Sequence, residues 1–298
     1  MTIHLEPGIY RGPVTIKRNN VTLMGPTEGT AMFTGDLAGS EILPDGQKRG
    51  SFRTQTVFVD ADHFKAINIT FENSAGPGET ASQALAIYSD GDDMYFENCR
   101  FLGFQDTVFT APLPPEELVS GGFRGPKEMA PRRPGRQCFI DCYIEGTVDF
   151  IFGGAVSYFK NCEIFSKLRP DDKVGYITAA STPKEQHYGY VFDECTFTGD
   201  AKPGSVYLGR PWRNFAHVAV LNSYLGEVIH PDHWHDWNKP DAHSTVKYFE
   251  FNNRGPGAAT TLPDFARFLS EDEAREYVQD KVLSHPLPPT DNSLPKLR

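Results

Sequence analysis

"DMYFENCRFLG", residues 93–103, alternates apolar and polar side chains around a central Asn98-Cys99 pair. The same wording returns downstream as "CFIDCYIEG" (138–146), "YFKNCEIFS" (158–166) and "YVFDECTFTG" (190–199). Looser copies are "NNVTLMG" and "FKAINITFENSAG" before it, and "VAVLNSYLGEV" and "KYFEFNN" after it. Alternation over four to eight residues rich in Phe, Tyr, Val and Ile is a strand signal, not a helical one. Several copies lie roughly 20 to 30 residues apart, the period of stacked solenoid coils. A β-sandwich also has many short strands, but it does not require the same polar residue at the same offset in each. Stacked coils do, because equivalent positions lie over one another and Asn or Cys side chains form ladders at the corners. The repeat predicts an all-β fold, a parallel β-helix. Near the end, "LSEDEAREYVQDKVL" (269–283) reads as one amphipathic helix with acidic residues in its first turn, packed across the solenoid.

Composition sets outer bounds. At 298 residues and 39% hydrophobic content the chain can bury a sizeable core as one large domain or two ordinary ones. A formal net charge of −10 disfavours nucleic acid and anionic membranes as partners. No apolar run is long enough to span a bilayer. Met1 leads directly into the strand-like "TIHLEPGIY" rather than a secretory leader. A cytoplasmic protein is expected from this, or a secreted one if upstream residues are missing. The five cysteines have no zinc-type spacing. Cys142 and Cys162 fall at matching coil positions and could bond if oxidised; a stacked, reduced ladder is the preferred reading.

Polar residues interrupt the strands at four places: Gln83 in "SQALAIYSD", Gln105 and Asp106 in "GFQDTVF", Asp149 in "GTVDFIFG", and Arg210 in "YLGRPWR". Alone, Gln83 reads as a ladder residue. Asp149 lies between Val148 and "FIF", where a bare carboxylate is costly to bury, and Arg210 is the natural bidentate partner. In a solenoid, residues far apart in sequence can share one face. Two carboxylates in unlike settings commonly divide the roles of acid and nucleophile, and two amides can donate to a developing oxyanion.

With "EPGIYRGPVTI", "ITFENSAGPGETASQALAI", "GFQDTVF", "YIEGTVDFIFG" and "YLGRPWR" in this order, the chain resembles the pectinesterases from about residue 3 to about residue 260. The resemblance implies a single-stranded, right-handed parallel β-helix with long cleft loops. It implies hydrolysis, without metal or cofactor, of C6 methyl esters of galacturonate units in pectin or oligogalacturonides. Carried over residue by residue, it makes Asp149 the nucleophile and Asp106 the general acid and later base. Gln83 and Gln105 become oxyanion donors, Arg210 holds Asp149, and Trp212 forms a sugar-binding wall. Ser51 falls where a substrate-contacting Thr is usual, and Phe104 where a Tyr is usual. A monomer is expected.

Two departures from the family pattern stand out. Asp106 and Asp149 are 43 residues apart, about twice the usual spacing, so 111–136 reads as an insertion at the cleft margin of a single 1–298 domain. Within it, "GFRGPKEMAPRRPGR" (122–136) has a net charge of +4 and is expected to overhang the cleft and attract anionic, de-esterified galacturonate. Family members also usually cap the first coil with an N-terminal helix; none is read before "TIHLEPGIY", so a truncated start is expected. Residues 260–298 read as a tail containing the helix.

Other chemistries find less support. There is no G-x-S-x-G elbow and no P-loop. "HPDHWHDW" (230–237) could hold a transition metal, but its spacing favours a cleft-edge loop. A glycoside hydrolase could use the two carboxylates, yet has no need of two Gln donors beside them. A non-catalytic carbohydrate-binding β-helix would be expected to lack at least one of the carboxylates.

Overall fold

The structure, a computed structural model, describes all residues except 294, 295, 297 and 298, so the last part of the 260–298 tail lies outside the described residues. Three parallel sheets of ten, eight and seven strands are each assembled from every third strand in chain order, with few departures. One coil therefore contributes one strand to each sheet. A representative coil runs through Met94–Glu97, Arg100–Leu102 and Val108–Thr110. The next runs through Arg136–Ile140, Tyr143–Gly146 and Val148–Gly153. This is the parallel β-helix that the repeat predicts.

The repeated wording has a direct physical use. Phe96, Phe139, Phe159 and Phe192 are in register on successive coils. Their rings stack inside the barrel at centroid separations of 4.7, 4.6 and 4.4 Å. Each such pair is worth about 0.5–1.5 kcal/mol beyond its burial. Two residues later comes the corner between the ten-stranded and eight-stranded sheets. There Asn98, Asp141, Asn161 and Glu194 have φ of 49°, 52°, 53° and 55°. Asn and Asp tolerate this left-handed conformation better than most residues. Their side chains also link coils: Asn161 donates to Asp141 at 2.6 Å and Asn98 to Asn68 at 2.7 Å. The following residue points inward as Cys99, Cys142, Cys162 or Cys195. Each thiol donates to a carbonyl of the preceding coil, at 3.3 to 3.5 Å. All five cysteines are free and buried.

Residues 111–135 leave the solenoid after Val108–Thr110 and return at Arg136–Ile140. Their cations correct the expectation of a positive cleft rim. Arg132 is buried and donates to four carbonyl oxygens of its own segment, those of Pro114, Lys127, Glu128 and Ala130. Lys127 pairs with Asp60 at 2.6 Å and Asp90 at 3.1 Å, Arg133 with Asp62, and Arg136 with Asp92. The sequence "DAD" (60–62) and "DGDD" (90–93) puts these carboxylates at one corner of two adjacent coils, where Asp60 and Asp90 are in register. Three of the five cations in 122–136, Lys127, Arg133 and Arg136, are thus paired with carboxylates on the body of the solenoid.

The C-terminal segment differs from the single helix expected. It forms two short helices, Glu271–Ala274 and Gln279–Ser284, separated by a tight turn at Arg275–Tyr277 and an extended Val278. Ser270 and Glu273 form a capping box, as the acidic first turn suggests. The interruption follows from packing: Tyr277 is inserted among Tyr188, His217 and Phe249, while Val282 reaches the outer face of the ten-stranded sheet.

Candidate active site

Three neighbouring coils of the seven-stranded sheet bring the predicted polar residues together. Ala84 N donates to Gln105 O at 3.1 Å, and Asp106 N donates to Val148 O at 3.1 Å. Gln83, Gln105–Asp106 and Asp149 thus stand on successive rungs. Arg210 follows the strand Val206–Gly209, its N–H bonded to Thr178 O. Gln83, Gln105, Asp106, Asp149, Arg210, Trp212 and Ser51 all line one cavity of about 530 Å³.

Local backbone shape explains how both carboxylates reach it. Asp106 has φ 64° and Asp149 φ 50°. Pairing with the strand Gly175–Ala180 slips between Val148 and Ile151, which places Asp149 in a bulge. A bulge breaks strict alternation and can turn a side chain out of an otherwise apolar strand.

The two aspartates differ in their surroundings. Arg210 donates from Nε to Asp149 Oδ1 at 2.8 Å and from Nη2 to Oδ2 at 2.7 Å. Burial leaves the Asp149 carboxyl above its ordinary value, with the Arg210 charge and hydrogen bonds opposing the rise. Asp106 is driven well above the usual carboxylate range, by burial first and then by the Asp149 charge. Only the more remote Arg210 charge and a hydrogen bond from Ser51 oppose this. Both carboxyls are raised, that of Asp106 further than that of Asp149, so Asp106 holds its proton to higher pH.

Arg210 is itself clamped. Its guanidinium lies 3.8 Å from the Tyr176 ring centroid and 3.7 Å from that of Trp237. Lys239 Nζ lies 4.4 Å from the same Trp237 ring and donates to Pro211 O and Trp212 O. Burial, with Arg213 and Arg210 nearby, pulls the Lys239 amine down to about 8. Trp212 forms a wall against Phe52, Phe109, Phe123 and Phe152. Gln83 accepts from Ser82 through Oε1. Gln105 lies so close to Gly78 that a Cβ there would meet its Oε1 at 2.5 Å.

Phe104 is not among the residues around this cavity. Its ring faces Lys167 Nζ at 3.6 Å, because the side chain preceding Gln105 turns to the other side of the chain. The histidines of 230–243 also diverge. His233 is buried between Glu250 and Gly257 O, His230 lies on Tyr207, His235 accepts from Trp237 N, and His243 meets Asp236. Among the described residues no group of three or more His, Cys, Asp or Glu is placed to hold a metal. Sequence reasoning missed Tyr176, Trp237, Lys239 and Gly78. Trp237 was within reach, as an aromatic residue in a loop predicted to edge the cleft.

Comparison with known proteins points the same way. The Pectinesterase family model matches residues 1–113 and 132–285, leaving 114–131 unmatched within the loop segment. Pectinesterase 31 of Arabidopsis thaliana is 35% identical over 285 residues, 93% of this chain and 80% of its own length. The putative pectinesterase/pectinesterase inhibitor 38 of the same plant is also 35% identical, over 97% of this chain but only 57% of its own length, so the chain spans little more than half of that relative. A crystal structure of a pectin methylesterase in complex with a hexasaccharide superposes with a TM-score of 0.76 at 28% identity, covering 97% of this chain and 89% of the other.

Proposed function

The chain belongs to the pectinesterase family, and from that premise we propose that it hydrolyses C6 methyl esters of galacturonate units in pectin or oligogalacturonides, releasing methanol. The observation that supports this reading most is the contrast between Asp149, held by two Arg210 hydrogen bonds, and Asp106, whose carboxyl burial and the Asp149 charge drive well above the ordinary carboxylate range.

In this reading Asp149 attacks the ester carbonyl, and the amides of Gln83 and Gln105 donate to the oxyanion that forms. Asp106 gives its proton to the departing methoxide, and methanol leaves. The resulting anhydride between Asp149 and the galacturonate carboxyl is opened by water, from which Asp106 takes a proton. Asp149 leaves as a carboxylate, the galacturonate keeps the new acid group, and Asp106 is again protonated. The Trp212 ring offers an apolar face to the sugar. Arg210 keeps Asp149 ionised and aimed; the Tyr176 and Trp237 rings keep Arg210 in place.

Methanol release from pectin by the purified protein, measured with and without chelator, tests the proposal. Methanol without new reducing ends supports an esterase. New reducing ends without methanol would replace it with a glycoside hydrolase, and activity restored only by zinc would move the chemistry to the 230–243 histidines.

A further inference from the structure

Lys239 brings a further cation into the catalytic cavity, one that the steps of ester hydrolysis do not use. The residue is half-buried and lines the cavity with Asp149, Arg210, Trp212 and Trp237. A tight turn takes it there: Lys239 N donates to Asp236 O at 3.0 Å, with Trp237 at φ 56° and Asn238 at φ 53° between them. Positive φ at both central residues reverses the chain sharply. The Lys239 side chain then lies with its Nζ 4.4 Å from the Trp237 ring centroid. The same Nζ donates to Pro211 O at 2.8 Å and to Trp212 O at 3.2 Å. It thereby joins two stretches of chain that carry the rings of the site. Trp237 packs on the guanidinium that grips Asp149, and Trp212 walls the cavity.

The joint holds at full strength only while the amine is charged. Donation from an ammonium to two carbonyls is charge-assisted, and its attraction to an indole face needs the positive charge. The Lys239 amine is pulled down to about 8, by burial first and then by the Arg213 and Arg210 charges, with Asp149 opposing. Asp106 and Glu117 also face the cavity, from a neighbouring coil and from the loop segment, and His235 and Asp236 precede Lys239 on its own turn. An ordinary lysine keeps its charge to about pH 10. Lys239 is charged at neutral pH and gives up the charge while the protein is still in mild solution. Arginine at this position would keep the charge throughout; methionine would keep the stem and lose both the charge and the donors.

We propose that Lys239 is a positioning residue of the esterase site, its ammonium tying the Trp237 turn to the Trp212 wall so that the ring behind Arg210 and the ring beside the sugar keep a fixed relation. Only the kinetic half of its test rests on the esterase reading. Lys239→Met and Lys239→Arg are compared with the wild type, each checked by thermal melting. On methyl-esterified pectin at about pH 6.5, Lys239→Met should lose about tenfold in kcat/KM, shared between a higher KM through Trp212 and a lower kcat through Arg210. Lys239→Arg should recover all but about two- to threefold. Corrected for spontaneous saponification, the wild-type kcat/KM should fall with a midpoint near pH 8 toward the Lys239→Met value, while Lys239→Arg shows no such fall. The protein without substrate gives the other half. Its tryptophans are Trp212, Trp234 and Trp237, so indole emission should step near pH 8 in the wild type and in neither variant. Wild-type kcat and KM in Lys239→Met, no emission step in the wild type, or a step that persists in the variants overturns the proposal. Lys239→Arg decides by itself if Lys239→Met fails to fold. An emission step lost in the variants, with no methanol from any methyl ester, keeps the joint and overturns the esterase reading.

Discussion

Asp106 and Asp149 face one cavity from neighbouring coils, both in left-handed backbone, yet only Asp149 is gripped by Arg210. If Asp149 is the nucleophile, Asp149→Ala should lower kcat by on the order of a thousandfold or more with the fold intact. Asp106→Asn should be nearly as damaging, because it keeps the shape but has no proton to give. Methanol-release kinetics on the two variants decide the matter. Near-normal turnover in a folded Asp149→Ala protein would end this assignment.

Arg210 should govern the acid side of the pH profile. It is the chief influence pulling the Asp149 carboxyl down against burial. Without it the carboxyl rises further, so its ionised form persists only at higher pH. The acid limb of kcat/KM should move upward in Arg210→Gln. Arg210→Lys keeps the charge and loses the fork, so its limb should move less while kcat still falls. An unmoved limb in Arg210→Gln would detach the limb from Asp149.

The raised Asp106 carboxyl also predicts a cost in stability. A group whose folded pKa lies above its unfolded value contributes stability that is present below the unfolded pKa and lost as pH rises. The window opens near the ordinary value of 3.8 and extends upward. Asp106→Asn should therefore melt higher than the wild type at neutral pH, with the gap closing in acid. Thermal unfolding across pH 3 to 8 checks this; equal melting temperatures throughout would mean that Asp106 is not destabilised by ionisation. Higher stability beside lost activity is the usual exchange at an active site.

How much of this was legible in the sequence depends on whether a residue repeats. Asn98, Cys99 and Phe101 announce a coil because Asn161, Cys162 and Ile164 restate them, so the ladder and the β-helix could be read. Asp149 and Arg210 could be paired because an isolated carboxylate in an apolar strand demands a cation. Arg133 and Arg136 misled for the opposite reason. Their partners Asp62 and Asp92 lie 71 and 44 residues earlier, and no local pattern marks the pairs. Alternation does not single out Tyr176 either; it holds Arg210 only because Gly175–Ala180 is the next rung.

Gly78 should matter through Gln105. A Cβ at this position would stand 2.5 Å from Gln105 Oε1 and 3.0 Å from its Cβ, so Gly78→Ala must displace the amide. Loss of one oxyanion donor costs about a hundredfold or more in kcat, and a displaced donor should cost roughly tenfold. KM should change little, since substrate binding does not depend on the charge that develops later. A normal kcat in Gly78→Ala would show that Gln105 can shift without loss, or that it is not a donor.

The basic loop segment should act on stability, not on substrate charge. Arg132 satisfies four carbonyl oxygens from a buried position, and its removal leaves them without that donor. Arg132→Ala should destabilise by about 2–5 kcal/mol. Arg133 and Arg136 are partly exposed, each paired with one aspartate, and either change to serine should cost about 1 kcal/mol or less. Because their charge is already neutralised by Asp62 and Asp92, KM for partly de-esterified pectin should be the same in the double serine variant and the wild type at every ionic strength. Denaturant melts and KM at low and high salt test the two halves separately. A KM that rises in the variant only at low salt and only on charged substrate would restore these arginines to the role of an electrostatic rim.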